Sequence, residues 1–205
     1  MLNQKGFDLW SDSYDKSVDL SDQENTYPFA GYQQILNQIC QSILRAPGRT
    51  VLDIGFGTGT LTARLYDQGC TIYGQDFSES MIRLAKEKMP LAQLYQGDFT
   101  KGLVQPLCQQ RYDAIIATYS LHHLTNPQKV VFLRQLQECL NPGGCIYIGD
   151  VAFSTQAELD ACRAKTGSEW DEDEIYFVYD ELHAQIPALR FHQVSSCSGI
   201  LTLER

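Results

Sequence analysis

Between Val51 and Leu65 the chain reads VLDIGFGTGTLTARL, which compresses a strand, a glycine turn and a helix start into fifteen residues. Val51 to Ile54 is an apolar run broken only by Asp53, and Leu61 and Leu65 then recur at helical spacing. Between them Gly55, Gly57 and Gly59 alternate through the turn. Glycine suits such a turn because a backbone without Cβ takes positive φ and lets a ligand approach the bare peptide. The following helix aims unpaired N–H groups and the positive end of its dipole at the same place, which favours a carboxylate, a ribose hydroxyl or a phosphate. A nucleotide-type ligand at a βα turn is the resulting expectation.

The spacing of the glycines narrows that ligand. Dinucleotide sites use GxGxxG, in which the third glycine lets helix and strand pack closely. Here the pattern is GxGxG with Thr60 at the final position, which weakens a nicotinamide reading. A second strand, Thr71 to Gly74, leads into Asp76, 21 residues after Gly55, the separation at which an acid reaches a ribose. Ser78 is placed to cap a helix over Glu79 to Met89 that Pro90 stops, and a third strand near Gln93 to Gln96 runs into Gly97-Asp98-Phe99. With Asp53, three successive strands carry an acid at or near their C-terminal ends.

Five stretches in this order, VLDIGFGTG from Val51, YGQDFSESMIRLAKEK from Tyr73, QGDF from Gln96, YDAIIATYSLHHL from Tyr112 and LNPGGCIYIGD from Leu140, resemble the class I S-adenosylmethionine-dependent methyltransferases. The nearest likeness is to the small bacterial YrrT-like methyltransferases with an N-terminal lid helix. It extends from about Phe7 to the end of the chain and is closest between Thr50 and Asp150. The resemblance implies an α/β, Rossmann-like, doubly wound sheet of seven strands in the order 3-2-1-4-5-7-6 with strand 7 antiparallel. It also implies one domain over 1–205: a lid and helical segment (1–46), a cofactor-binding core (50–150), and substrate-side helices with a closing hairpin (151–205).

By the same resemblance the cofactor is S-adenosyl-L-methionine, leaving as S-adenosyl-L-homocysteine. Gly55, Phe56, Gly57 and Gly59 would pass beneath its methionine and ribose, Asp53 would assist near its amino group, and Asp76 would accept the ribose hydroxyls. Phe77 and Phe99 would flank the adenine and Asp98 would accept from its exocyclic amine, with Met81, Gly97, Thr118 and Tyr119 completing the set. Phe7, Trp10 and Tyr14 share one side of a short helix, which in the resembling family is a lid with its tyrosine towards the cofactor. Candidate acceptor-side residues are Tyr14, Tyr119, His123, Asp150, Trp170 and Tyr176, and Tyr14, His122 and His123 are the candidates for a direct chemical role. Histidine has a suitable pKa for a base, but a carboxylate or thiolate acceptor needs none. Methyl transfer from a sulfonium is a displacement that asks mainly for positioning and needs no metal. A cofactor-binding partner protein without transfer activity remains the alternative.

Charge favours a small-molecule acceptor: 16 basic against 25 acidic residues leave a net charge of -9, so a nucleic acid would meet long-range repulsion. No apolar run has the length of a signal core or a membrane span, which points to the cytoplasm, as a monomer or homodimer. Seven scattered cysteines with no CxxC pair and no histidine at metal spacing predict thiols and no metal.

Outside the motifs, a helix is expected over Tyr32 to Ile43, ending at Ala46-Pro47-Gly48. A fourth strand spans Tyr112 to Thr118, a helix Pro127 to Leu140 is capped by Asn126, and a fifth strand covers Cys145 to Asp150. A helix from about Thr155 to Arg163, a solvated acidic run EWDEDE, a helix over Ile175 to Ala184 and a hairpin of Arg190 to Ser196 with Ile200 to Arg205 complete the chain.

Overall fold

The computed structural model describes residues 26–205, so Phe7, Trp10 and Tyr14 lie outside the described residues. A sheet forms the centre, with strands β1 (Thr50–Ile54), β2 (Thr71–Asp76), β3 (Gln93–Gln96), β4 (Tyr112–Thr118), β5 (Leu140–Phe153), β6 (Phe177–Val178), β7 (Arg190–Gln193) and β8 (Ser198–Glu204). Helices α1 (Tyr32–Arg45), α2 (Thr60–Asp67), α3 (Glu79–Lys88), α4 (Gln105–Cys108), α5 (Asn126–Glu138), α6 (Gln156–Thr166) and α7 (Tyr179–His183) are interleaved with them.

Strand order is β3-β2-β1-β4-β5-β8-β7, and β6 pairs with β5 off this path. The first five strands are parallel neighbours and β8 runs antiparallel to both β5 and β7. This is the expected doubly wound arrangement with one strand added. That strand, β6, falls where a continuous helix over Ile175 to Ala184 was expected. Phe177 and Val178 instead pair with Ala152 and Phe153, and helix α7 begins only at Tyr179. In that ladder both side chains are buried and their backbone is paired with β5.

Successive strand residues feed two cores on opposite faces, as parallel strands covered on both sides must. Val51, Ala114 and Ile116 pack on one face with Ile35, Ile39 and Ile43 of α1. Leu52, Ile115 and Ile148 pack on the other with Leu133 and Leu136 of α5. α1 ends at Arg45 because Ala46, preceding Pro47, is driven into extended backbone. The cap of α5 is Thr125, not Asn126: its side chain takes the Gln128 N–H while Gln128 returns a bond to the Thr125 N–H, satisfying two helix-end donors together. β5 continues through Phe153, beyond the expected end at Asp150, because β8 pairs with it as far as Val151 and β6 takes over from Ala152. Among the described residues no helix is long and apolar enough to cross a membrane.

Candidate active site

β1, β2 and β4 end together, and a cleft opens beyond their carboxyl ends, the position at which open α/β sheets bind ligands. Its lining includes Asp53, Gly55, Phe56, Gly57, Asp76, Phe77, Met81, Phe99, Thr118, Tyr119 and His123. All eleven were singled out from the sequence; Tyr32, Thr58, Thr60, Leu61 and Ser120 line it too and were not.

The turn between β1 and α2 is held from several directions. Gly57 lies at φ 54°, and a Cβ built there meets nothing within 4 Å, so the bare peptide borders open space. Gly55 differs, because a Cβ there would come within 2.6 Å of Ser120 Cβ, whose hydroxyl donates to the Ile54 carbonyl. Lys88 Nζ donates to the Thr58 carbonyl at 2.9 Å and ties the turn to α3. Gly59, predicted to touch the cofactor, is outside the cleft lining and abuts Met89 and Ala85, where a side chain would collide. Its bareness serves the packing of α2 on α3.

Asp76 is buried and receives the N–H of Gly57 and of Ser78, each at 2.9 Å. Asp53 is buried beside it, with one oxygen accepting the Thr62 hydroxyl and the other, Oδ1, lacking a hydrogen-bond partner among the described residues. Burial, set against the Thr62 bond and reinforced by the Asp76 charge, raises its pKa to about 7. An orphaned carboxylate oxygen in a cleft suits a ligand with a cationic donor such as an ammonium group. The open space over Gly57 suits the body of that ligand. These residues therefore fit S-adenosylmethionine, the group that the family resemblance implies.

Asp98 and Gly97 are outside the cleft lining. Asp98 caps the short 3₁₀ turn Phe99–Lys101, accepting the Thr100 N–H at 3.0 Å and its hydroxyl at 2.6 Å, while Lys101 approaches at 3.1 Å. Gly97 sits against Val104 and Gln75 in a loop that Gln75 pins through Val104 and Gly102.

At the end of β4 the two histidines part. His123 lines the cleft, and burial together with neighbouring His122 lowers its pKa to about 4. His122 is buried behind it, with Nδ1 2.8 Å from Asp150 Oδ1 and Nε2 3.3 Å from Glu174 Oε1. Burial alone would depress the His122 pKa, but Asp150 and then Glu174 carry it above the ordinary value. Asp150, Trp170 and Tyr176 do not line the cleft; Asp150 and Tyr176 stand against His122, and Trp170 against Tyr176. Trp170 stacks on Tyr27 at 5.0 Å and meets Tyr176 edge-on at 4.9 Å. Glu174 belongs to the EWDEDE run read as solvated, and only the buried imidazole opposite distinguishes it from its exposed neighbours. Tyr119 has the sole positive φ outside glycine among the described residues, 50°, and its ring packs on Phe29 and Tyr32. A non-glycine residue held there costs on the order of 1–3 kcal/mol and marks functional sites.

Residues 51–144 match the model of a methyltransferase domain. A protein of Anoxybacillus flavithermus described as an uncharacterized methyltransferase is 35% identical over 89% of this chain and 83% of its own length. Among solved structures, magnesium protoporphyrin IX methyltransferase from Synechocystis PCC 6803 with bound SAH superposes with a TM-score of 0.66 at 19% identity, covering 84% of this chain and 82% of that one. The DhpI–SAH complex gives 0.66 at 18% identity over 97% and 93% of the two chains. Sequence relatives, fold and cleft agree: the chain belongs to the class I S-adenosylmethionine-dependent methyltransferases.

Proposed function

We propose that the chain moves a methyl group from S-adenosylmethionine to a small-molecule acceptor by direct displacement. One observation carries this reading. The Asp53 oxygen that has no partner among the described residues and the open face of Gly57 border the same cleft as Tyr119 and His123, so donor-side and acceptor-side groups share one space.

When bound, the cofactor supplies an electrophilic methyl on a positively charged sulfur. Asp76, Asp53 and the Gly55 to Gly57 turn would hold it, and Phe77, Met81 and Phe99 would enclose its ring with apolar surface. Tyr119, Thr118 and His123 would orient the acceptor, with Tyr14 closing over them. Proximity is the main contribution of such residues, since alignment within about 3–3.5 Å replaces a chance encounter. His123, with a pKa near 4, is neutral at pH 7 and a poor proton acceptor. An acceptor that arrives ionised or sheds its proton easily suits the cleft best. The net charge of -9 supports a small acceptor over a nucleic acid. Seven cysteines, all free, support a reducing compartment such as the cytoplasm.

The test is a methyl-donor assay over a metabolite library with product mass analysis. A product heavier than its acceptor by one methylene, with S-adenosylhomocysteine formed in equal amount, is the expected result. Tight donor binding with no turnover over the whole library would instead identify a cofactor-binding partner protein.

A further inference from the structure

We propose that His122, His123 and Glu174 form a site for a divalent transition metal of the zinc class at the wall of the cofactor cleft. One ligand atom from each lies within 4.8 Å of the other two. His122 Nε2 and Glu174 Oε1 are 3.3 Å apart, and bonds of about 2.0–2.2 Å in a tetrahedron place neighbouring ligand atoms about 3.3–3.5 Å from each other. Two imidazoles and one carboxylate suit zinc and its neighbours in the first transition row, whereas magnesium and calcium prefer an all-oxygen shell.

Support from behind strengthens the assignment. Asp150 is fully buried, and its Oδ1 is 2.8 Å from His122 Nδ1 while also accepting the Val151 N–H at 2.8 Å. A carboxylate on the far nitrogen of a ligating histidine fixes its tautomer and ring orientation, leaving Nε2 for the metal. The Ile175 N–H donates to the His122 carbonyl at 2.8 Å, which draws the segment carrying Glu174 against the histidine pair.

A proton shared between His122 and its two carboxylates would account for those three residues without a metal. It does not involve His123, whose ring lies 4.4 Å from that of His122 at 74° and whose ligand atom lies within 4.8 Å of those of His122 and Glu174. A single cation between the two rings would take one nitrogen lone pair from each. Three protein ligands leave one tetrahedral position for water or for a heteroatom of a small molecule, the composition of catalytic rather than structural zinc sites. His123 belongs both to this set and to the cleft lining, so the metal would border the space assigned to the acceptor. Only this last step rests on the methyl-transfer reading.

The sequence hides the site. Adjacent histidines lack a metal-binding spacing, and Glu174 arrives from 51 residues beyond His123.

The experiment titrates the metal-stripped chain, residues 1–205, with Co²⁺ and reads its visible spectrum. Expected is one equivalent bound with the intense bands of a tetrahedral centre, displaced by Zn²⁺, and without the near-ultraviolet thiolate band that any of the seven cysteines would produce. His123→Ala and Glu174→Gln should each weaken binding by more than about a hundredfold, and Asp150→Asn by about 10- to 100-fold. Circular dichroism and thermal melts establish that the variants are folded. Absence of stoichiometric binding, a thiolate band, or equal affinity in folded His123→Ala and Glu174→Gln would overturn the proposal. Metal binding and methyl transfer are read separately, so failure of one leaves the other standing.

Discussion

Asp76 accepts the backbone N–H of Gly57 at 2.9 Å, so the acid that ends β2 braces the glycine turn that follows β1. Its other oxygen takes the Ser78 N–H at 2.9 Å at the start of α3. One side chain therefore shapes the cleft and offers it charge. Asp76→Ala should weaken donor binding by roughly 2–4 kcal/mol, since it removes a charged acceptor and strands buried N–H groups. Titration calorimetry measures the loss, and unchanged affinity in a folded variant would remove Asp76 from the site.

Gly57 and Gly69 make a matched pair. Both have positive φ, 54° and 83°, and a Cβ on either meets nothing within 4 Å. Gly69 closes α2 with its N–H on the Tyr66 carbonyl and that of Cys70 on Leu65, a Schellman end far from any ligand role. Alanine at either position should cost about 1–2 kcal/mol of stability through left-handed strain. Only Gly57→Ala should also reduce donor affinity, and Gly57→Val should abolish it. Equal affinity losses at both sites would mean that backbone strain alone is being measured.

Asp53 predicts a pH dependence of binding. Its raised folded pKa means that the ligand-free protein holds a proton there up to about pH 7. Stability from this group is full below the ordinary carboxylate range and declines as pH rises through about 7, because the native state is the better proton binder. A cationic donor group stabilises the ionised form, so affinity should rise with pH by up to about tenfold per unit below 7. Comparing wild type with Asp53→Asn cancels the ligand's own titration. Parallel affinity profiles for the two would refute the assignment.

At the opposite end of the sheet, Asp113 accepts the N–H of Arg49 and of Thr50, each at 2.9 Å, and the Asn141 amide at 2.7 Å. Against the cost of burial, these bonds hold its pKa below the usual value. Its stabilisation is present above the unfolded carboxylate pKa and is lost as pH falls through the folded one, the reverse of Asp53. Asp113→Ala should cost about 1–3 kcal/mol in chemical denaturation. Donor affinity of the folded fraction should be unaltered.

Deleting residues 1–20 tests the lid expectation for Phe7, Trp10 and Tyr14. A folded remainder that binds donor more weakly and transfers almost nothing is expected, with Tyr14→Phe doing less harm. Amide exchange in residues 7–18 that is equally slow with and without S-adenosylmethionine would overturn it.

Elements whose reasons are local could be read directly from the sequence. Apolar periodicity marked β1 to β4, Pro47 and Pro90 marked helix ends, and alternating glycines followed by an acid at ribose distance marked the cleft. Local signals misled where two residues compete for one role, as at the α5 cap, where Thr125 wins because Gln128 stands three residues on. They misled again at Phe177 and Val178, whose pairing depends on β5 being extended nearby.

The sequence by itself determined the order of β1 to β5, the ligand end of the sheet and the place of Asp53 and Asp76 at it, since each follows from spacing within short stretches of the chain. Only the tertiary structure decided which acids do what. It set Asp98 on the Thr100 N–H, Gly59 against Met89 and Ala85, and Glu174 and Asp150 on opposite nitrogens of His122. The physical reason is that burial and charge pairing belong to positions in space. An acidic run looks solvated until one of its carboxylates is found against a buried imidazole.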